Sequence, residues 1–252
     1  MKQFGLLGKS LAHSFSKKYF EEKFRENALN SCSYENFELE NIKDVKELIV
    51  SNKNLIGFNV TIPYKESISD FIDKIDPLAK KLNAVNTVFV NRNDNSLYGY
   101  NTDVYGFSQS IKPFFNLHHE RALILGTGGA SKAVAHVLQG LGVKIMFASR
   151  TPKGTNQIAY KDLNEYAIKA HTMIINTSPL GMYPNIETYP NLPYEAIGEN
   201  HFLVDLTYNP EETIFLKKGK ERGAISLNGK DMLVFQAEKS WAIWQDEIDK
   251  NY

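Results

Sequence analysis

Short apolar runs, broken every few residues by glycine, proline or polar clusters, set the pattern of this chain. Residues 4–7 predict a short strand. Residues 17–25 predict a helix, because Tyr19, Phe20 and Phe24 fall on one helical face and Ser16 is placed to cap its start. Residues 55–62 predict a strand that Pro63 stops, since proline has no N–H for a ladder. Residues 85–90, rich in β-branched side chains, predict another.

From Arg121 onward the alternation becomes regular. Residues 122–125 are a continuous apolar run of the kind buried on both faces of a parallel sheet. The turn Gly126-Thr127-Gly128-Gly129 follows. Ala130, Ala133, Val134, Val137, Leu138 and Leu141 then recur at helical spacing, with Gly142 at the helix stop. Further strands are predicted over 143–148, 172–175, 202–206 and 224–227. The alternation predicts an α/β chain whose second half is a doubly wound parallel sheet. The expected division is a first domain over 1–103 and a second over 104–230. Residues 231–249 predict an amphipathic helix with Leu233, Ala237, Trp241 and Trp244 on one face.

Composition narrows the function classes. Of the 252 residues, 42% are apolar and 23% charged, which excludes a disordered or collagen-like chain. Lysine plus arginine equals aspartate plus glutamate at 29 each, so no basic excess points to nucleic acid. One cysteine, Cys32, makes neither an intrachain disulfide nor a cysteine-rich zinc site, and no metal is expected. No apolar run has the length of a membrane span, and Lys9 interrupts the apolar N-terminal stretch, so no signal peptide is expected. The expected setting is soluble and cytoplasmic.

Charge becomes informative locally. The turn Gly126-Thr127-Gly128-Gly129-Ala130-Ser131 lies between a predicted strand and helix, the context in which such a turn brings backbone N–H groups to a pyrophosphate. Ser131 holds the third glycine position of that fingerprint. At the end of the next strand, where an NAD site usually carries a carboxylate for the ribose hydroxyls, stand Ser149-Arg150-Thr151, with Lys153 just beyond. Residues 121–161 contain six basic residues and no acid, whereas an even spread of 29 acids would put about five there. An arginine pairs with a 2′-phosphate, so the expected cofactor is NADP(H).

In the first hundred residues three clusters offer polar groups: His13-Ser14-Phe15-Ser16, the stretch from Asn59 to Lys65, and Asn86-Thr87 with the run from Gly99 to Asp103. Each has a plain structural reading as well, Ser16 as a cap, Asn86 as a turn residue and Asp103 as the cap of a helix starting at Val104. Together they suit a polyhydroxylated small molecule, with Lys65 and Asp103 as its acid–base candidates.

These residues, read in order, resemble the shikimate dehydrogenase family nearly end to end. The markers are H-S-F-S at 13–16, N-V-T-I-P-Y-K at 59–65, N-A-V-N-T at 83–87, G-Y-N-T-D at 99–103, G-T-G-G-A at 126–130 and S-R-T at 149–151. They continue as N-T-S-P-L-G-M at 176–182, D-L-T-Y-N-P at 205–210 and N-G-K-D-M-L-V-F-Q-A at 228–237. The resemblance implies NADPH-dependent reduction of 3-dehydroshikimate to shikimate, in a substrate domain joined to a Rossmann domain. By similarity, Ser14 and Ser16 would bind the substrate carboxylate. Thr61, Asn86, Asp103, Tyr208 and Gln236 would bind its hydroxyls or neighbouring groups. Lys65, paired with Asp103, would be catalytic, as proton donor or as electrostatic clamp. Gly126, Thr127, Gly128, Gly129, Ala130, Ser149, Arg150, Thr151, Leu206 and Gly229 would hold the cofactor, with Lys153 beside Arg150. Because Gln236 follows the Rossmann strands, residues 231–252 are expected to return to the first domain.

Four positions depart from the family's usual pattern: Lys17 for proline, Ser149 for asparagine, Gly154 for a residue that is often basic, and Pro77 where some relatives are acidic. The alternatives are an NAD-using quinate/shikimate dehydrogenase, which calls for an acid near 149–151, and a non-catalytic ligand-sensing domain, which is expected to lose Lys65 or Asp103. Neither pattern is present. The expected partner is the small-molecule substrate, with no nucleic acid or membrane, in a monomer or homodimer.

Overall fold

A computed structural model of the chain describes residues 1–11 and 14–252. Ala12 and His13 lie outside the described residues, and with His13 the first position of the H-S-F-S motif. The chain divides into two compact units, Met1–Thr102 with Gln236–Tyr252, and Asp103–Phe235.

The first unit is built on strands β1 (Lys2–Gly8), β2 (Cys32–Glu38), β3 (Leu55–Val60), β4 (Lys74–Ile75), β5 (Thr87–Val90) and β6 (Leu97–Tyr100), in the order β2-β1-β3-β5-β6-β4. The sheet is mixed. Strand β1 runs parallel to β2 and β3, β5 is antiparallel to β3 and β6, and β4 is parallel to β6. One face packs Leu7, Phe58, Val60 and Val88 against Val45 and Ile49 of helix α2 (Val45–Ser51) and Ala79 of α3 (Pro77–Leu82). The other packs Phe4, Leu6, Tyr34, Ile56 and Phe89 against Phe20 and Phe24 of α1 (Phe15–Glu26). Strand β3 is buried at all six residues, as a strand covered on both faces must be.

The second unit holds β7 (Arg121–Leu125), β8 (Lys144–Ser149), β9 (Gln157–Ala159), β10 (Met173–Asn176), β11 (Phe202–Asp205) and β12 (Ile225–Leu227), all parallel, in the order β12-β11-β10-β7-β8-β9. Ala122, Ile124, Met173, Ile175, Phe202 and Val204 face helices α4 (Asp103–Ile111) and α5 (Gly129–Gly140). Leu123, Leu125, Ile174 and Leu203 face α6 (Glu165–Ala170) and α7 (Ile214–Lys220). This doubly wound architecture is the one expected from the strand–helix alternation. The long helix α8 (Lys230–Asn251) is divided: Met232 belongs to the second core, while Ala237, Trp244 and Ile248 belong to the first.

Several element ends differ from the sequence pattern for local reasons. Ser16 does not cap α1. It lies inside the helix and is buried, while Ser14, extended at φ −70 and ψ 126, accepts the Ser16 N–H at 3.3 Å. Strand β3 ends at Val60: the Thr61 N–H still makes the ladder bond to Leu7 O, but Thr61 O takes the Tyr64 N–H and turns the chain. Asp103 is the first residue of α4 and not a cap outside it. Leu141, expected on the buried face of α5, is its C-cap and 49% exposed. Gly142 then takes φ +82 while Val143 N–H reaches Leu138 O at 2.9 Å, the left-handed stop the glycine signals. Strand β2 carries too many polar residues to be read from its pattern.

Of the departures from the family pattern, Lys17 sits in the first turn of α1 and pairs with Glu35 at 2.7 Å. Pro77 occupies the first turn of α3 behind an Asp76 cap. Proline suits that place because its missing N–H has no helical partner there.

Helix α8 is fastened to the first unit along its length. Glu238 takes Lys23 Nζ at 2.7 Å and the Tyr19 hydroxyl, Tyr100 donates to Glu247 at 2.9 Å, and Asn251 meets Asn91 at 3.2 Å. At the centre Trp244 is fully buried, with Phe4 at 4.9 Å between ring centres and its indole N–H on Val88 O at 2.9 Å. Gly57 makes room for it, since a Cβ there would lie 2.4 Å from the indole nitrogen. Trp244→Ala is therefore expected to lower unfolding stability by about 3–5 kcal/mol, the range for truncating a large buried aromatic. Urea titration checks this, and a loss below about 1 kcal/mol would show that the helix is not held by this residue.

Candidate active site

The two units carry two distinct polar constellations. In the first unit, the C-terminal ends of β3 and β6, the entry to β5 and the inner face of α8 converge on a buried cluster of amides and hydroxyls. Asn59, on the buried strand β3, lies opposite Thr87 in the ladder. Its Oδ1 accepts from the Tyr34 hydroxyl at 2.9 Å, and its Nδ2 donates to Asn86 O at 3.2 Å and Ser240 Oγ at 2.9 Å. Asn86 Oδ1 accepts the Thr102 N–H at 2.7 Å, and Asn86 Nδ2 donates to Thr102 Oγ1 at 3.0 Å and Gln236 Oε1 at 3.4 Å. Asn59, Asn86, Thr87, Thr102 and Ser240 are all buried, so these bonds replace water and their loss would leave desolvated polar groups.

Around this cluster the candidate residues fall as follows. Asn86 and Gln236 are part of it. Lys65 is half-buried on the segment after β3, its carbonyl fixed by the Val85 N–H at 2.7 Å. Thr61 is half-buried at the start of the same segment, with its methyl close enough to Gly8 that a Cβ there would lie 2.7 Å away. Ser14 and Ser16 stand at the start of α1, Ser14 in extended backbone as its cap and Ser16 already helical. Asp103, buried at the start of α4, and Tyr208, half-buried after β11, group with the second unit. Pattern alone does not single out Asn59, Thr102 or Ser240. Asn59 and Thr102 lie inside recognised motifs, whereas the signal for Ser240 is a hydroxyl one turn beyond Gln236 on an otherwise apolar face.

In the second unit the strand order reverses between β7 and β10. That is the switch point outside whose carboxyl ends open α/β sheets bind ligands. The Gly126–Gly129 turn follows β7, and Thr177-Ser178 follow β10. Gly126 has φ +114, a left-handed conformation that favours glycine, and a Cβ there would meet Thr177 Oγ1 at 2.9 Å. At Gly128 a Cβ would meet nothing within 4 Å, so the backbone at the helix start is open to a bulky group. Helix α5 has neither a side-chain cap nor an acid in its first turn, leaving its first amides to an anion. Ser131, in the third fingerprint position, is buried and donates to Gly128 O at 2.6 Å, fastening the turn from behind.

Arg150, Thr151 and Lys153 are exposed beyond β8, and Ser149 Oγ accepts the Thr151 N–H at 3.2 Å. Among the described residues no carboxylate forms an ion pair with Arg150 or Lys153. Leu206 and Gly229 are in close register: a Cβ at Gly229 would lie 2.1 Å from Leu206 O. Behind them the fully buried Asp205 accepts from Thr213 Oγ1 at 2.6 Å, Thr207 N at 2.9 Å and Asn176 Nδ2 at 3.1 Å. Burial pushes its carboxyl up, against the pull of those hydrogen bonds. The glycine turn, open helix start and unopposed Arg150 fit a dinucleotide bearing an additional phosphate.

A model of the shikimate dehydrogenase substrate binding domain matches residues 6–88. The NADP(+) shikimate dehydrogenase of Clostridium beijerinckii is 39% identical over 255 residues, covering 98% of this chain and 93% of the relative. The crystal structure of shikimate dehydrogenase 1 from Peptoclostridium difficile superposes with a TM-score of 0.85 at 39% identity, covering 98% of this chain and 92% of that one. The shikimate 5-dehydrogenase of Thermus thermophilus, solved with NADP(H) and shikimate, gives 0.84 at 29% identity over 97% of this chain and 93% of its own.

The contact at Gly229 gives a direct test. Gly229→Ala is expected to force Leu206 away and weaken NADP binding at least tenfold, with a smaller change for shikimate; isothermal titration with each ligand decides, and unchanged NADP affinity would show that this approach does not shape the cofactor side.

Proposed function

The chain belongs to the shikimate dehydrogenase family, and on that premise we propose that it catalyses the reversible NADPH-dependent reduction of 3-dehydroshikimate to shikimate in the shikimate pathway. One observation carries the reading: a single chain joins a phosphate-binding turn at a sheet's switch point to a unit with a buried amide and hydroxyl cluster. Residues 1–103, with 231–252, form the substrate domain in this reading, and 104–230 the cofactor domain. The protein acts in the cytoplasm, as a monomer or homodimer, on a small-molecule substrate alone.

The chemistry asks little of the chain beyond placement and one proton. Bound NADPH supplies the hydride. The ketone oxygen then carries developing negative charge, and the Lys65 ammonium both stabilises it and provides the proton. Its backbone is anchored through the Val85 N–H, so the side chain works from a fixed base. Asp103 is the second acid–base residue of this reading. Ser14 and Ser16 take the substrate carboxylate, while Thr61, Asn86, Tyr208 and Gln236 read its hydroxyls or neighbouring groups. On the cofactor side Gly126 to Ala130 hold the pyrophosphate, and Ser149, Arg150, Thr151 and Lys153 take the adenosine phosphate. Leu206 and Gly229 line the cofactor's other end. Ser149 supports Arg150 through its bond to the Thr151 N–H in place of an asparagine, and Gly154 leaves Lys153 as the second cation.

Purified protein is expected to oxidise shikimate with NADP far faster than with NAD, and Arg150→Gln should raise the KM for NADP at least tenfold while leaving that for NAD nearly unchanged. Equal rates with both nucleotides would remove Arg150 from this role, and no turnover with either would favour a ligand sensor. Lys65→Ala should lower kcat by about 10²–10⁴-fold, the usual span for a lost general acid, with little change in KM. Steady-state kinetics in both directions checks it; near-normal kcat would take Lys65 out of the mechanism.

A further inference from the structure

The buried cluster of the first unit has a direction, and it can be read from groups whose polarity is fixed. A backbone N–H only donates, so the Asn86 atom that takes the Thr102 N–H at 2.7 Å is the amide oxygen. The opposite Asn86 atom is therefore the NH₂ group, which donates to Thr102 Oγ1 at 3.0 Å and to Gln236 at 3.4 Å. The Gln236 atom facing it must then be the oxygen, which also faces the Thr102 hydroxyl at 3.4 Å. Gln236 consequently turns its NH₂ group away from Asn86, as a donor.

The same reasoning runs through Asn59. A backbone carbonyl only accepts, so the Asn59 atom on Asn86 O is its NH₂ group, and that group donates to Ser240 Oγ at 2.9 Å. Ser240 keeps its own proton for the carbonyl of Gln236 at 2.8 Å. Its acceptor side faces the Thr87 hydroxyl at 2.7 Å and the Thr102 hydroxyl at 3.1 Å. A hydroxyl with one proton and two lone pairs is thus surrounded by four polar partners, at a site with no exposed surface. Ser240 and Gln236 are four residues apart on one helix, hence on one face.

We infer that Ser240 is a positioning residue for substrate recognition: it fixes the register of α8 against the β3–β5 ladder, and thereby holds the Gln236 carboxamide with its NH₂ group presented to an oxygen acceptor of the substrate. Ser240 touches no substrate. The inference rests on the proposed reading of Gln236 as a substrate contact, and it adds the polarity of that contact and the group that enforces it.

Ser240→Ala removes the hydroxyl and nothing else. The expected result is a rise in the KM for shikimate of roughly three- to tenfold, the scale of one weakened neutral hydrogen bond, with kcat and the KM for NADP within about twofold of the original. KM does not depend on how much of the protein folds, so a merely structural role would lower apparent kcat and melting temperature and leave KM in place. In a Gln236→Ala background, Ser240→Ala should leave the KM for shikimate unchanged, since its path to substrate is already gone. If Ser240→Ala yields no folded protein, Ser240→Cys, which keeps a weak donor, should raise the KM in the same direction by less. An unchanged KM in the folded variant, or a full additional rise in the Gln236→Ala background, overturns the inference while leaving the proposed activity intact. Absence of shikimate turnover in the original protein overturns both.

Discussion

A carboxamide taken out of water must have its oxygen matched to donors and its nitrogen to acceptors, because each unmatched atom keeps the cost of desolvation. Asn59 and Asn86 are both under this constraint in the first unit, and much of that unit is arranged around meeting it. Backbone groups of Thr102 and Asn86 set the direction of the two amides, and hydroxyls of Tyr34, Thr87, Thr102 and Ser240 complete them. These residues come from β2, β3, β5, the end of β6 and α8, so one polar cluster fixes the register of five parts of the chain. The surrounding apolar core, with Trp244 and Phe4 in contact, keeps water from competing.

The second unit answers the same constraint with a charge. Asp205 is buried at the end of β11, and its carboxylate is met by the Asn176 amide, the Thr207 N–H and the Thr213 hydroxyl. Asn176 in turn accepts the Ser178 N–H at 3.1 Å, so the loops after β10 and β11 are tied to one another. Those loops carry Thr177 beside the glycine turn and Leu206 beside Gly229. The geometry of the switch point is therefore held from behind by groups that meet no ligand.

Net charge is zero, yet the stretch from Arg121 to Lys161 holds only positive formal charge. Arg150 and Lys153 are exposed there, whereas ion pairs elsewhere draw on the acids of other segments, such as Lys17 with Glu35 and Lys23 with Glu238. Such a distribution favours a phosphorylated ligand at one place without making the whole molecule a polyanion binder.

Features that depend on near neighbours along the chain could be read from the residues alone. The parallel strands of the second unit were legible because strands buried on both faces must be apolar throughout, and the Gly126 and Gly142 turns because left-handed backbone favours glycine. The nine motifs marked the family, and within them most candidate site residues. Tertiary structure decided what depends on partners distant along the chain. The polar strand β2 is a strand because Phe4 pairs with Tyr34 beside it, and Ser16 yields its capping role to Ser14 because of backbone conformation that sequence alone leaves open. The signal of Ser240 in the helical pattern is only a lone hydroxyl on an apolar face, and it gains meaning from Asn59 and Thr87, which lie 181 and 153 residues away along the chain. Periodicity reports whether a side chain is buried, but the direction of a buried hydrogen bond is set by whichever backbone donor or acceptor the fold brings to meet it.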